Sequence, residues 1–462
     1  MENMAATIPP PTISAPATNG AISFKDIDRF QREFEKDPRN RQAMNAVCTT
    51  TLNKVALNRK RVNELDRTFS IHLPENAITA QKQSGRCWLF AALNTMRVHA
   101  IKSLNMDDKF ELSQNYVLFW DKLEKANYFL DNVLKTLDEP VGSRLLDWLL
   151  QGPMQDGGQW DMFVNVIQKY GVVPKSAMPE TESSSATAQM SDKTTGKLRE
   201  YACRIRAAHA KGATLEKLEQ MKKEYVSEIY RMLVIHLGEP PQKFDWQYRD
   251  KDKAFHRDGV ITPQEFYTKY IGADLDDYVC LIHDPRPGHD FDAVYTVKFL
   301  GNVSGGRPTE YLNVELDVIK KAAVQQLESG DSVWFGCDVG KYLDRDLGTM
   351  DLKMFDYNLI YGTDNGLTKA ERLQYGHSAM SHAMVFTGVD IDLEGKPTKW
   401  RVENSWGEEP GVKGWFQMTD EWFDEFNYEV VVQKRFVPAE CLAALKKPAV
   451  ELEPWDPMGS LA

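Results

Sequence analysis

The apolar pattern changes period part-way along the 462 residues, and that change limits the folds open to the chain. From Phe24 to about Lys60, apolar residues recur at helical spacing among charged ones (Ile27, Phe30, Phe34), which predicts surface helices leading into a short extended segment, FSIHLPENAIT. A stronger helix begins at Cys87, just after the break at Gly85, where WLFAALNTMRVHAIKSL sets Leu89, Leu93, Met96 and Ala100 on one buried face. The last third is different: SVWFGCDVG, HAMVFTGVDID, KWRVENSWG, GWFQMT and YEVVVQKRFV are β-branched and aromatic runs split by Gly, Asp and Pro. Helices first and strands later argue for an α+β fold, a helical layer packed on an antiparallel sheet, over alternating βαβ units.

The flanks and charges narrow the function classes. Residues 1–23, rich in Pro, Ala and Thr and lacking a basic n-region and an apolar h-region, are expected to form a disordered tail and not a secretion signal. No run reaches the roughly 18 apolar residues of a spanning helix. The net charge of −11 gives no global footprint for nucleic acid or an anionic membrane. Between Lys193 and Arg231, however, ten Lys or Arg stand against five Glu. A solvated helical face is the first reading of that segment; a docking face for another subunit or for nucleic acid is the competing one. The stretch ETESSSATAQMSDKTTG (180–196) reads as a loop bounding an insertion. Six cysteines at irregular intervals, with no C-x-x-C pair, fit reduced thiols in the cytosol, most of them buried as small apolar side chains.

One thiol stands apart. In QKQSGRCW, Cys87 follows a Gly-containing turn at a helix N-terminus, where unpaired N–H groups and the macrodipole are expected to lower its pKa. A thiolate nucleophile needs a base, an orienter for that base and donors for an oxyanion. His382 opens the strand HAMVFTGVDID and Asn404 ends the strand KWRVEN, so adjacent strands can deliver an imidazole and a carboxamide to one sheet edge. Either residue alone is more often structural. His377, five residues earlier, precedes the strand and is set aside. Neither metal nor cofactor is expected: the two histidines miss the i, i+4 spacing of a helical zinc site, no H-E-x-x-H exists, and Asp344-Arg-Asp346 lacks the Gly and Glu of a calcium loop.

In combination these residues resemble the papain-like cysteine peptidases. Gln81 lies six residues before the Cys87-Trp88 pair, and His382 and Asn404-Ser405-Trp406-Gly407 follow much later. Leu112-Ser113-Gln114 is similar to the family's LS-x-Q segment, and Gly157-Gly158 to the glycine pair whose backbone binds extended substrate. The disulfide of secreted members is absent, since Ser84 and Gln155 occupy its two places, and the 295 residues from Cys87 to His382 leave room for an insertion. SGRCWLFAA, FELSQNYVLFWDKLEKANYFLD, DGGQWDMF, LGNVSGG, SHAM and the final PWDPMGSLA look like one branch, the bleomycin hydrolases, from about Phe24 to the end.

That resemblance implies a papain-like fold with a helical insertion and a C-terminal tail in the active-site cleft. The implied division is a tail over 1–23, N-terminal helices and the helical subdomain over 24–180, a mostly helical, assembly-forming insertion over 181–290, the β subdomain over 291–445 and the active-site tail over 446–462. It further implies a cytosolic cysteine aminopeptidase of broad specificity, forming a homohexameric ring, acting on peptides with free N-termini, on the amide of bleomycin and on homocysteine thiolactone. Cys87, His382, Asn404 and Gln81 would be catalytic, with Trp406 shielding the His–Asn bond. Gly157, Gly158 and the carboxylate of Ala462 would bind substrate. A non-catalytic chaperone-like or nucleic-acid-binding ring is the rival reading, and a transglutaminase-like Cys-His-Asp site is disfavoured by the Asn at 404.

Overall fold

Ser23 begins the first described helix. Its hydroxyl accepts the Asp26 N–H while the Asp26 carboxylate accepts the Ser23 N–H, a reciprocal cap that starts Phe24–Lys36. The computed structural model describes residues 20–462, so most of the expected tail over 1–23 lies outside the described residues. Residues 20–60 and Phe355–Asn365 make one unit, in which the Tyr357 hydroxyl donates to Asn53 (2.8 Å) and the Asp356 N–H to the Ala56 carbonyl (2.8 Å). The N-terminal helices thus cluster with a piece of the C-terminal half, which the expected 24–180 subdomain did not include.

The other unit, Arg61–Met354 with Gly366–Ala462, holds the helical layer and the sheet. Cys87–Leu104 is buried along most of its length, and Gln114–Lys135 and Trp160–Tyr170 pack beside it. Each fully buried Leu or Phe there contributes about 1.5–3 kcal/mol. The sheet is largely antiparallel, as expected. His382–Ile391 runs between Val333–Cys337 and Pro397–Glu403, and the helix from Cys87 packs against it. Opposite faces of the sheet are thereby covered by apolar clusters, one shared with the helices and one under Leu316–Glu328 and Asp420–Phe426.

One expectation needs correction. The segment 180–196 is not a loop: Glu182–Ser185 and Ala188–Ala210 are helices, because Met190, Thr194, Leu198, Tyr201 and Ile205 form a buried stripe and the Thr194 hydroxyl returns to the Met190 carbonyl. The stretch 181–290, expected to be a mostly helical insertion, also carries strands. After Leu215–Leu237 come a hairpin, Phe244–Arg249 with Phe255–Ile261, and the helix Pro263–Tyr270, and Tyr278–Ile282 pairs with Asn427–Gln433 in the main sheet. Within the stretch 446–462, Val450–Leu452 adds a parallel strand to Ala293–Val297. No helix among the described residues is long and apolar enough to cross a membrane, and all six cysteines are free.

Candidate active site

The helix Cys87–Leu104 and the strands His382–Ile391 and Pro397–Glu403 converge on one cleft. Arg97 on the helix makes a buried ion pair with Glu403 (2.8 Å), the residue before Asn404, which locks the two layers in register. The register Val385↔Glu403 then sets Asn404 beside the start of the histidine strand, and Asn404 Oδ1 meets His382 Nε2 at 2.9 Å. Nδ1 is left for a second partner. The Trp406 ring lies over the imidazole with centroids 4.9 Å apart, while His377 is exposed on the preceding turn.

Cys87 is the first helical residue, and the nearby N–H groups of Ala383, Trp88 and Cys87 itself act to lower its pKa. Ala383 follows His382, so thiol and imidazole belong to one site. Both are nearly inaccessible, at 3% and 5% exposure. Burial outweighs the N–H groups and pushes the thiol up to about 11, and burial pulls the imidazole down to about 4. Burial thus works against the lowering expected from the helix N-terminus.

Gln81 arrives on a segment that pairs with the Asn404–Gly407 turn: its N–H donates to the Ser405 carbonyl (2.8 Å), and the Gly407 N–H to the Thr79 carbonyl (3.0 Å). Its carboxamide is fixed as well, accepting from Ser405 Oγ (2.7 Å) and donating one Nε2 proton to the Ser84 carbonyl (2.6 Å). The second Nε2 proton is free for an oxyanion. Ser405 was legible only as part of N-S-W-G, yet it orients this amide.

Asp156 is the residue that sequence reasoning missed. Its carboxylate accepts from the Gly85 N–H (3.1 Å), Lys122 Nζ (2.5 Å), Ser191 Oγ (3.2 Å) and Thr187 Oγ1, and its carbonyl takes the Trp88 indole N–H (2.8 Å). Lys122 and these hydrogen bonds hold the carboxyl well below the usual carboxylate range despite burial. Asp156 thereby joins the nucleophile's turn to the glycine segment where secreted papains use a disulfide. The only signal was its place directly before Gly157-Gly158.

Gly157 and Gly158 carry the end of the chain. Gly158 N–H donates to the Ala462 carbonyl and Ala462 N–H to the Gly158 carbonyl (3.3 Å each), the exchange of an antiparallel pair. Gln159 Nε2 adds a bond to the Ser460 carbonyl (2.6 Å). A Cβ on Gly157 would meet the Ala462 oxygen and Leu461 Cβ at 2.7 Å, and one on Gly158 would meet the Trp88 ring at 2.6 Å. Glycine is needed at both positions for close approach. Among the described residues no group of His, Cys, Asp and Glu could hold a metal ion.

Residues 21–459 match the model of the peptidase C1-like family. The chain belongs to that family. This peptidase is 45% identical over 441 residues to "Aminopeptidase C" of Listeria monocytogenes serovar 1/2a, covering 96% of this chain and 99% of that protein. It is 44% identical over 454 residues to "Bleomycin hydrolase" of Homo sapiens, covering 96% and 100%. The crystal structure of PepW from Lactobacillus rhamnosis HN001 superposes with a TM-score of 0.93 at 48% identity, covering 96% of this peptidase and 100% of that chain. The papain-like fold expected from the motifs is thus the fold of this peptidase, and its class is that of a cysteine peptidase.

Proposed function

We propose that the protein is a cysteine aminopeptidase of broad specificity, its cut limited to the substrate's N-terminus by its own last residues. The observation that carries this reading is the pairing of Ala462 with Gly158. An extended peptide would bind that glycine on the non-primed side, and the tail already occupies the place. The residue to be removed then fits between Ala462 and Cys87. An acceptor at Ala462 selects a protonated α-amine by a charge-assisted contact that reads the backbone and leaves the side chain free.

In the reaction, His382 Nδ1 takes the Cys87 proton as sulfur attacks the carbonyl of the N-terminal residue. The oxyanion is held by the free Gln81 Nε2 proton and the Cys87 backbone N–H. His382 returns the proton to the leaving amine, which departs as the shortened peptide and leaves a thioester on Cys87. Water then attacks, giving its proton to His382, and the amino acid leaves as the thiol is restored. Asn404 fixes the imidazole plane, and Trp406 keeps water from that hydrogen bond. No cofactor takes part. Because side-chain selection is weak, the amide of bleomycin and homocysteine thiolactone fall within the chemistry, each presenting a free amine beside an acyl carbon.

The working form is a cytoplasmic homohexameric ring. Supporting assembly, Phe24, Ile27, Phe30 and Phe34 form an apolar stripe on one helix that is exposed among the described residues. The rival nucleic-acid reading draws less support, because Lys193, Lys197, Arg199, Arg204, Arg206 and Lys222 already hold partners within the chain. Light scattering tests the ring, and affinity for single-stranded DNA that falls steeply with salt would revive the rival. The function itself is tested by comparing a peptide with its N-acetylated twin: only the free one should be cut, one residue at a time.

A further inference from the structure

The last residues follow an indirect route to the cleft. Strand pairing ends at Leu452, and ten residues later Ala462 meets Gly158. Beside that path lies a cavity of about 410 Å³, lined by Trp455 and Ser460 together with Tyr128, Asn132, Trp148 and Gly152. On the cavity side the segment has room to shift.

A polar joint stands at the middle of the path. Arg286 grips Asp456 with both terminal nitrogens (NH1 to Oδ2 3.1 Å, NH2 to Oδ1 2.8 Å), a two-point fork that sets position and direction together. The guanidinium is itself fixed, since Asp284 accepts from Nε (2.9 Å) and NH2 (2.7 Å), and His289 sits 2.8 Å from the same carboxylate. Asp284 is anchored in turn: its N–H donates to the Asn313 side chain (2.9 Å), whose amide donates back to its carbonyl (3.1 Å). Asn313 ends a strand of the main sheet, so the joint is built on a rigid base. On the other side Asp456 directs the chain, accepting the Met458 N–H (2.9 Å) to start the turn Pro457–Gly459, and Met458 is buried in the core.

We infer that the Arg286–Asp456 clamp is the positioning element that sets where Ala462 stops, and hence how many residues are removed per cut. This rests on the aminopeptidase reading above. With the clamp intact the gap between Ala462 and Cys87 takes one residue. With it broken, the segment after Leu452 has the adjoining cavity to move into, the gap widens, and two residues or an internal segment enter. Arg286 and Asp456 touch neither substrate nor thiol, so they act on register and not on the chemical step.

The test uses the full-length enzyme and a free-amine heptapeptide with its N-acetylated twin, products read by mass spectrometry. Asp456→Asn keeps shape and removes charge. Its share of dipeptide and internal products should rise roughly tenfold over wild type, while the rate at which iodoacetamide alkylates Cys87 changes less than about threefold. Arg286→Lys, which keeps the charge and loses the fork, should fall between the two. A wild-type product ladder from folded Asp456→Asn, or from Arg286→Gln should the first variant not fold, overturns the clamp. If wild type cuts the acetylated twin as fast as the free peptide, the aminopeptidase reading fails and the clamp with it. If wild type spares the twin, a truncation lacking residues 460–462 cuts it, and the clamp variants behave as wild type, only the clamp is wrong.

Discussion

The turn that carries Cys87 and the segment that carries Ala462 line the same cleft, but they are held in opposite ways. The turn is tied at many points: Asp156 takes four side-chain or backbone donors, Arg86 pairs with Glu180 through two bonds (3.0 and 2.9 Å), and Trp88 is fully buried. The tail is fixed at fewer points, a few polar joints and the buried Met458, beside a cavity. Reacting atoms must stay within a fraction of an ångström of their working geometry, and many independent ties provide that. A barrier that only counts residues tolerates a looser mount. On the proposed function, chemistry and length selection should therefore be separable, and each open to damage without the other.

The largest expected effect lies on the chemistry side. Cys87→Ala should lower kcat/KM by at least about 10⁴-fold while leaving the melting temperature and the tail's protection from carboxypeptidase unchanged. Retained turnover would remove the thiol from the mechanism.

Next comes the tie itself. Asp156→Ala leaves Lys122 buried without its carboxylate, a loss of about 3–5 kcal/mol in unfolding free energy by denaturant titration. Cys87 alkylation should slow in the same variant. Stability within about 0.5 kcal/mol of wild type would show that the hub does not replace the missing disulfide.

On the other side, deleting residues 460–462 should leave thiol reactivity in place and reduce the preference for free over acetylated peptides roughly 10- to 100-fold, as expected for one charge-assisted contact. A preference that survives the deletion would place the selection elsewhere.

The smallest effect concerns pH. The Cys87–His382 pair holds one proton between the lower titration at about 4 and the upper at about 11, whichever atom carries it. Activity should be flat across neutral pH, falling in acid as His382 gains a second proton and in strong alkali as the pair loses its last. Folding stability follows the same shifts. The unfolded imidazole takes a proton near 6.5 that the folded one refuses down to about 4, so stability declines as pH falls through that window. The unfolded thiol ionises near 9.0 and the folded one near 11, so stability also declines as pH rises between them. An acid limb near 6.5 would mean that the imidazole is not desolvated in solution.

The contrast also explains what the sequence revealed. Gln81, Cys87, His382 and Asn404, the residues the proposed mechanism uses, stand out in the sequence because such a mechanism demands one side-chain type at each place, and the fold brings all four to one cleft. Asp156 does not stand out, because a hub is made by partners such as Lys122, Thr187 and Ser191 that only folding brings together. The helix Ala188–Ala210 was read partly as a loop because Thr194 fills a core position that an apolar pattern assigns to Leu or Ile. The strand Tyr278–Ile282 was missed for the opposite reason: five residues are too few to separate a strand from the end of a helical insertion by periodicity. The tail's place in the cleft was inferred from resemblance alone, and the spacing of its residues carries no sign of the partner glycine.

Product analysis on one peptide pair tests the separation most directly. With the intact enzyme, the free heptapeptide should shorten one residue at a time and its acetylated twin should remain whole. The truncation lacking 460–462 should cut both with an unchanged Cys87 alkylation rate. Equal cleavage of the two peptides by the intact enzyme, or a truncation that loses thiol reactivity together with selectivity, would contradict it.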